Sequence, residues 1–509
     1  SKIRFDLSIN GQYSIVSSDC IIGSSFNVIG TFDNNIMKLY INGNLVSEYV
    51  VEGVAKTSTM PIIIGANPNA ASISAPTAAN IKNVQIYNRA ISEEEISYVS
   101  EGRVANNEGL LRYVDFTNKS YEDEEIIPES AIESYFVWIP KYRYQLWDLG
   151  NYDSLTAIDT SKVHEIPITF GDYNTSDDKN GECTTPMESG KTGNCGVGDY
   201  MTHPAFLSIS STGFWVGKFE TGTTITENYN VRNGEAIEIK PNVSSWRSIQ
   251  VANAFYTSYD YKRELDSHMM KNTEWGAVAY LQHSAYGSQV SVRINNNSSY
   301  ITGYQANNEP TCVSTGTNEE CNRYCNDGTC NTAYPNSILA STTGNISGIY
   351  DMAGGSWEYM MGVMIDENGK PMSGRNSIYN SGFNGNFGCP TCDGDTSKLT
   401  SLTDGYEFPD SKYYDTYAYA TIDERYQRRI LGDATGEMGP FTSLNYLTAT
   451  RQIGSWYTDN AWFVFYGYPW FTRGGYHYDG LDAGVFAFSH GYGRVTSWLS
   501  FRVILAPTR

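Results

Sequence analysis

Between Trp456 and Arg502 the chain reads WYTDNAWFVFYGYPWFTRGGYHYDGLDAGVFAFSHGYGRVTSWLSFR, and this stretch limits the fold more than any other. It contains no Lys, Glu, Gln or Met, although Lys412, Glu437, Met438 and Gln452 all stand upstream. Two readings account for that composition. Buried sheet strands exclude long charged side chains. A binding surface uses rigid aromatic rings for contact area and Ser, Gly and Asp for adaptable hydrogen bonds. The interleaving favours display: Phe486 and Phe488 alternate with Val485, Ala487 and Ser489 at strand period, while Tyr476 to Asp482 and Ser489 to Ser500 read as Gly-punctuated loops. A packed core has no need of His477-Tyr478-Asp479 or His490-Gly491-Tyr492.

The rest of the chain is read as support for this stretch. A length of 509 residues exceeds one core, and about two to four domains are expected. With 56 Asp and Glu against 35 Lys and Arg, the formal charge is -21. No basic run appears, which argues against nucleic acid or an anionic membrane as partner. Abundant Tyr, Gly, Asn, Ser and Thr suit an extracellular β-rich protein, and the best apolar run, Pro61-Ile62-Ile63-Ile64, is far short of a membrane span. The chain opens at Ser1 with no leader, so a fragment or processed form is expected. Cysteines fall in local groups: Cys183 with Cys195, then Cys312, Cys321, Cys325 and Cys330, then Cys389 with Cys392. Even numbers in each loop suit short-range disulfides in an oxidising compartment, with Cys20 left over. The alternative is zinc held by Cys321, Cys325, Cys330 and the Cys389/Cys392 pair.

Residues 1–102 alternate as short strands, Ile15 to Ser17, Phe26 to Thr31, Met37 to Ile41 and Ile62 to Gly65, split by turns at Asp33-Asn34-Asn35 and Asn42-Gly43-Asn44. The expectation is an all-β jelly-roll sandwich. Ser92-Glu93-Glu94-Glu95 has a capping-box pattern that opens a short helix through Ile96 and Val99. Thr31-Phe32-Asp33, Met37 to Gly43, Ile64-Gly65-Ala66 and Ile81 to Ser92 together resemble the second half of a laminin-G or concanavalin-like domain. The resemblance implies a sugar binder or a spacer, truncated at its start. Residues 103–134, with the acidic run Tyr121-Glu122-Asp123-Glu124-Glu125, read as a solvated linker, within which Arg112 to Phe116 reads as a strand tying the halves together.

From Tyr135 a second domain begins, with strands Tyr135 to Pro140 and Phe214 to Glu220. Two helices are predicted, one capped by Ser244 or Ser245 and running through Ala252 and Phe255, the other capped by Asn272 or Thr273 with Trp275, Val278, Ala279 and Leu281 on its apolar face. Helices followed by strands and very long loops indicate α+β. Trp215, Trp275, Trp357 and Phe501 are expected in the core.

Gly213 to Glu220, Lys271 to Trp275, Gly348 to Glu358, Arg473-Gly474-Gly475 and Phe501-Arg502-Val503 resemble, in order, the landmarks of the formylglycine-generating type of C-type lectin fold. Enzymes of that family bind copper through paired C-terminal cysteines, whereas this chain has no Cys after Cys392. The C-terminal stretch is more similar to the variable proteins of diversity-generating retroelements, which share the scaffold. There, AAY codons randomised at adenine cannot yield Lys, Glu, Gln or Met. Trp462 and Trp498 need a different template codon. The resemblance implies a variable region over about 456–500, displaying Tyr457, Asp459, Trp462, Phe465, Tyr466, Tyr468, Thr472, Tyr476, Tyr478, Asp479, Asp482, Ser489, His490, Tyr492, Arg494, Thr496, Trp498 and Leu499. It implies a non-enzymatic binder of protein or glycan ligands on a bacterial surface, a pilus or a phage virion.

Catalytic motifs fail on inspection. Met187 to Thr192 suggests a phosphate loop, but Thr185 stands where Gly is required. His164-Glu165 lacks the second His of a zinc protease, and no G-x-S-x-G elbow exists. The six His, at 164, 203, 268, 283, 477 and 490, are scattered. No cofactor is expected beyond a structural calcium in a loop such as Asp393-Gly394-Asp395-Thr396, which reads equally as a solvated turn. Glu309-Pro310 is followed by Thr311 rather than Asn, so the sugar-binding calcium motif of C-type lectins is lacking.

Overall fold

The computed structural model describes residues 2–9, 12–19, 25–33, 35–52, 67–69, 72–74, 81–104, 108–115, 132–147, 165–171, 198–208, 212–305, 332–365, 381–383, 408–418, 430–435, 437, 455–465 and 467–507. All nine cysteines, the acidic run 121–125, the strand expected at Ile62 to Gly65 and the loops holding Glu309 and Asp393 lie outside them, as do His164 and Tyr466. Contacts divide the chain into Ser1–Ile127 with Arg263–Asp266, and Pro128–Lys262 with Ser267–Arg509.

The first unit is built of antiparallel strands. β1 (Lys2–Ile9) pairs with β2 (Gln12–Asp19). β3 (Val28–Asp33), β4 (Ile36–Ile41) and β5 (Asn44–Val50) form a meander. β6 (Asn67–Asn69) pairs with β7 (Ser72–Ser74), and β8 (Asn83–Tyr87) with β9 (Leu110–Asp115). The β4–β5 hairpin turns on Asn42 and Gly43, at φ 49° and 77°, the left-handed pair that a two-residue turn matching strand twist requires. Period-two alternation gives β4 two apolar faces. Met37 and Leu39 join Ile9, Val16 and Val51 on one side, while Tyr40 joins Ile29, Ile96 and Val99 on the other. Ile96 and Val99 belong to α1 (Glu93–Ser100), whose capping box forms as the sequence predicts: Glu95 N donates to Ser92 Oγ at 3.2 Å and Ser92 N to Glu95 Oε2 at 2.7 Å. The strand expected to tie the halves together is β9, and it pairs back onto β8 of its own unit.

The second unit is β-rich with few helices. One sheet runs β10 (Phe136–Pro140), β14 (Gly213–Gly217), β23 (Val503–Leu505), β17 (His268–Met269). β11 (Tyr142–Gln145) lies between β12 (Ile168–Phe170) and β13 (Tyr200–Thr202), and β15 (Gly222–Thr223) pairs with β16 (Ile237–Glu238). The central sheet orders β19 (Asp415–Ala418), β18 (Trp357–Ile365), β20 (Trp470–Gly474) and β21 (Gly484–Gly491), with β22 (Leu499–Phe501) parallel to the start of β18. β18 is buried from Glu358 to Met364, so the C-terminal strands surround an element shielded on both faces.

Two helices flank this core, and both start away from the predicted caps. α2 (Val251–Tyr261) begins after Gln250, because Ser245 Oγ bonds Ser356 Oγ at 2.9 Å and Ser248, at φ 61°, interrupts helical backbone. α3 (Asn272–Gln282) starts one residue early, after Lys271, whose N–H donates to Glu274 Oε2 at 2.8 Å. The Asp415 carboxylate, from β19, accepts from Thr273 N at 2.7 Å and so satisfies a first-turn donor from outside the helix. Trp275 and Phe501 are fully buried as expected. Trp215 is 38 % exposed instead, since its neighbours Phe214 and Val216 take the inward positions of β14. Trp357 is only partly buried.

Candidate functional site

Two buried arginines fix the scaffold beneath the C-terminal surface. Arg502, fully buried between β22 and β23, donates from Nε to Glu358 Oε2 at 2.9 Å and from Nη2 to Glu358 Oε1 at 2.5 Å. It also caps the carbonyls of Gly217 (2.8 Å) and Tyr350 (3.1 Å), joining the two sheets. Arg473, in β20, donates from Nε to Asn272 Oδ1 at 2.7 Å, from Nη1 to Ala434 O at 3.0 Å and from Nη2 to Asp433 O. Burial lowers the Arg473 pKa to about 10, opposed chiefly by the Asp433 charge. Beside Arg502, Glu220 is pushed well above the carboxylate range by desolvation and by the charges of Glu358 and Asp351. These buried acids are held by backbone and amide donors, Ser356 N to Glu220 Oε1 at 2.7 Å and Asn295 Nδ2 to Asp351 Oδ1 at 2.8 Å. The network positions the Gly355–Trp357 segment.

That segment carries both ends of the surface. His477 N donates to Gly355 O at 2.9 Å, and Trp357 N donates to Trp498 O at 3.1 Å. The Asp479 carboxyl accepts from Tyr476 N at 3.0 Å and from the Trp357 side chain. Desolvation, the largest effect, raises the Asp479 pKa to about 6. On this frame Tyr478 is 80 % and Trp498 46 % exposed, with exposed Arg494 nearby in sequence. Tyr476, Asp482, Ser489, Tyr492 and Thr496 are partly buried.

A second cluster forms where β21 ends. The His490 ring lies 4.5 Å from Trp462, 4.8 Å from Phe465 and 4.7 Å from Tyr468, measured between centroids. The residue is partly exposed, but its Nε2 is enclosed without a hydrogen-bond partner, and desolvation lowers its pKa to about 3. The Tyr468 and Tyr492 rings lie 3.9 Å apart, tilted by 35°, and Arg494 lies 4.9 Å over Tyr492.

The sequence-derived contact residues therefore divide. Tyr457, Asp459, Phe465, Thr472 and Leu499 are buried and offer no surface to a ligand. Tyr457 OH sits 3.1 Å from His283 Nδ1, and the Asp459 carboxylate accepts from Phe486 N at 2.8 Å, so both serve the core. The alternation read at 485–488 does not separate faces either, since Val485, Phe486, Ala487 and Phe488 are all buried. Sequence reasoning missed Arg247 and Tyr300. Arg247 stands 3.7 Å over the Tyr300 ring, and Tyr300 meets His477 edge-on at 4.7 Å. They lie outside the aromatic stretch, and nothing in their own neighbourhood marks them.

In the first unit, a cleft of about 310 Å³ lies between β3 and β8, lined by Asn27, Thr31, Asn83, Gln85 and Arg89 among others. Among the described residues, no group of three or more His, Cys, Asp and Glu is placed to hold a metal, and no helix is long and apolar enough to cross a membrane.

Residues 3–97 match the concanavalin A-like lectin/glucanases superfamily, in its laminin-G form. No curated protein matches the chain. Among solved structures, an S-layer domain-containing protein from Clostridium thermocellum (residues 221–444) is similar at 24 % identity over 19 % of this chain, with a TM-score of 0.15. The chain covers 51 % of that structure, about half its length.

Proposed function

We propose that the chain is a non-enzymatic, surface-displayed ligand-binding protein. In this reading the second unit has a C-type lectin fold, and its C-terminal aromatic surface is diversified by a retroelement. The first unit serves as a stalk or accessory sugar binder, and the molecule acts outside the cell, on a bacterial surface or a phage virion. One observation carries the reading. Within a stretch devoid of Lys, Glu, Gln and Met, Tyr478 and Trp498 stand 80 % and 46 % exposed on backbone tied through His477 and Trp498 to the Gly355–Trp357 segment. Exposed Tyr and Trp on a rigid frame are the usual anchors of binding surfaces. The packing of α2 and α3 around the central sheet, and the burial of the Arg473 and Arg502 landmarks, support the lectin-type scaffold.

The test is sequencing of the 3′ end of the gene and its adjoining DNA in a natural population. Differences confined to adenine positions of a nearby near-copy, beside a reverse transcriptase gene, are expected. A uniform 3′ end with no second copy removes the diversification.

The cleft between β3 and β8 favours a second reading, a fixed carbohydrate-binding adhesin. Its Thr31 hydroxyl and the oxygens of the Asn83 and Gln85 amides, whose NH2 groups bond Gly102 O and Arg103 O, are polar groups suited to sugar hydroxyls. Glycan-array binding lost on Asn83→Ala with Gln85→Ala, and kept on Tyr478→Ala, would select it.

A further inference from the structure

Arg247 and Tyr300 stand more than a hundred residues upstream of the C-terminal stretch, yet both are built into its surface. Arg247 Nη1 donates to Ser497 O at 2.6 Å, beside Trp498, and Ser248 N donates to Thr496 O at 3.0 Å. The Tyr300 ring backs the guanidinium at 3.7 Å and meets His477 edge-on at 4.7 Å. This chain carries a charge of -21, and several of its arginines find carboxylates, Arg89 with Glu95, Arg232 with Asp260 and Arg502 with Glu358, whereas Arg473 bonds an amide oxygen and two carbonyls and Arg494 lies over the Tyr492 ring. Among the described residues Arg247 forms no ion pair; its Nε is enclosed without a hydrogen-bond partner, and its side chain also bonds that of Tyr300. Asp479, on the loop of His477, is engaged by Tyr476 N and the Trp357 side chain instead.

We propose that Arg247, backed by Tyr300, is a constant anion-receptive centre of the binding surface, and that its partners are proteins presenting an Asp or Glu side chain there. This rests on the binding-surface reading above. A guanidinium held by a carbonyl and a ring loses little entropy on pairing, and its planar fork suits a carboxylate. Arg, Tyr and Trp together are the residue types that dominate protein interfaces, which favours a protein over a saccharide. Because Arg247 and Tyr300 lie outside the residues read as diversified, each variant of the surface keeps this centre and changes what surrounds it.

The test titrates the full chain by calorimetry with N-acetylated hexaglutamate amide, its hexaglutamine counterpart and trigalacturonate. Hexaglutamate is expected to bind about tenfold tighter than hexaglutamine, a difference of about 1.4 kcal/mol. Arg247→Ala is expected to erase that preference, with Arg247→Gln as the second variant should the first unfold, and Arg247→Lys to restore part of it. Equal binding of the two peptides, or a preference that survives both substitutions, overturns the proposal. Tighter binding of trigalacturonate than of hexaglutamate overturns it in favour of an acidic saccharide. Tyr478→Ala and Trp498→Ala, which should weaken both peptides alike, report on the surface reading separately from the charge.

Discussion

At Arg502 the chain places a full positive charge where water does not reach, and the Glu358 carboxylate together with the Gly217 and Tyr350 carbonyls is what makes that tolerable. Removing one member of a buried pair leaves the other charge uncompensated, at about 3–5 kcal/mol. Glu358→Ala is therefore expected to lower the denaturation midpoint by that equivalent in urea melts, whereas Arg4→Ala, at an exposed pair with Asp6, should change it by less than about 1 kcal/mol. His203 makes a second prediction. Its ring is buried among Tyr142, Tyr144, Phe206 and Tyr280, and desolvation holds its pKa at about 3 against 6.5. The unfolded chain takes up a proton below pH 6.5 that the folded chain refuses down to about 3, so this group's share of stability is lost as pH falls through that window. Buried Glu220 acts oppositely: raised well above its ordinary value, it favours the folded state more as pH falls. In melts at pH 7 and pH 4, His203→Phe should show a smaller acid-induced loss than the parent, by about 3 kcal/mol at 1.36 kcal/mol per pH unit. Identical pH profiles would mean that His203 is protonated in the folded protein.

Elements were legible where the signal was local. The α1 capping box and the Asn42-Gly43 hairpin are decided by residues within four positions of one another, and both form as read. The starts of α2 and α3 were misread for the opposite reason. Ser244, Ser245, Asn272 and Thr273 are good caps in isolation, but Ser356 and Asp415, far along the chain, recruit Ser245 and Thr273. Trp215 was misassigned because hydrophobicity cannot say which face of β14 turns inward, and Val485 to Phe488 because a strand covered on both sides loses its alternation. The Arg473-Gly474-Gly475 landmark shows what the turn between β20 and the Tyr478 loop demands. Gly475 adopts φ 79°, and a Cβ there would stand 2.6 Å from the Ala483 backbone. Gly475→Ala is thus expected to cost more than the roughly 1 kcal/mol of a left-handed backbone alone. The measurement is a thermal melt paired with hydrogen exchange over 476–482. A neutral outcome would show that the turn relaxes and that the loop is not held by its glycine.

For the molecule as a whole, the partition of the C-terminal stretch matters more than its composition. The same residue types fill the core and reach solvent. Burial supplies the criterion that sequence lacked. Tyr478, Arg494 and Trp498 are exposed, and changing them removes few contacts within the fold. Tyr457, Asp459, Phe465, Thr472 and Leu499 are buried, and truncating a buried aromatic residue costs about 3–5 kcal/mol. A protein that varies its surface can vary the first group freely and the second only at the expense of folding. Combining Tyr478→Ser, Arg494→Asn and Trp498→Ser in one chain should shift the melting temperature by no more than about 2–4 °C, since surface substitutions stay within about 0.5 kcal/mol each. Phe465→Ser alone should shift it further than all three together. Among natural relatives, substitutions are then expected at 478, 494 and 498 and not at 457, 459, 465, 472 and 499. Variation spread evenly over both groups, at unchanged melting temperature, would mean that the buried positions repack readily and that display is not what divides this stretch.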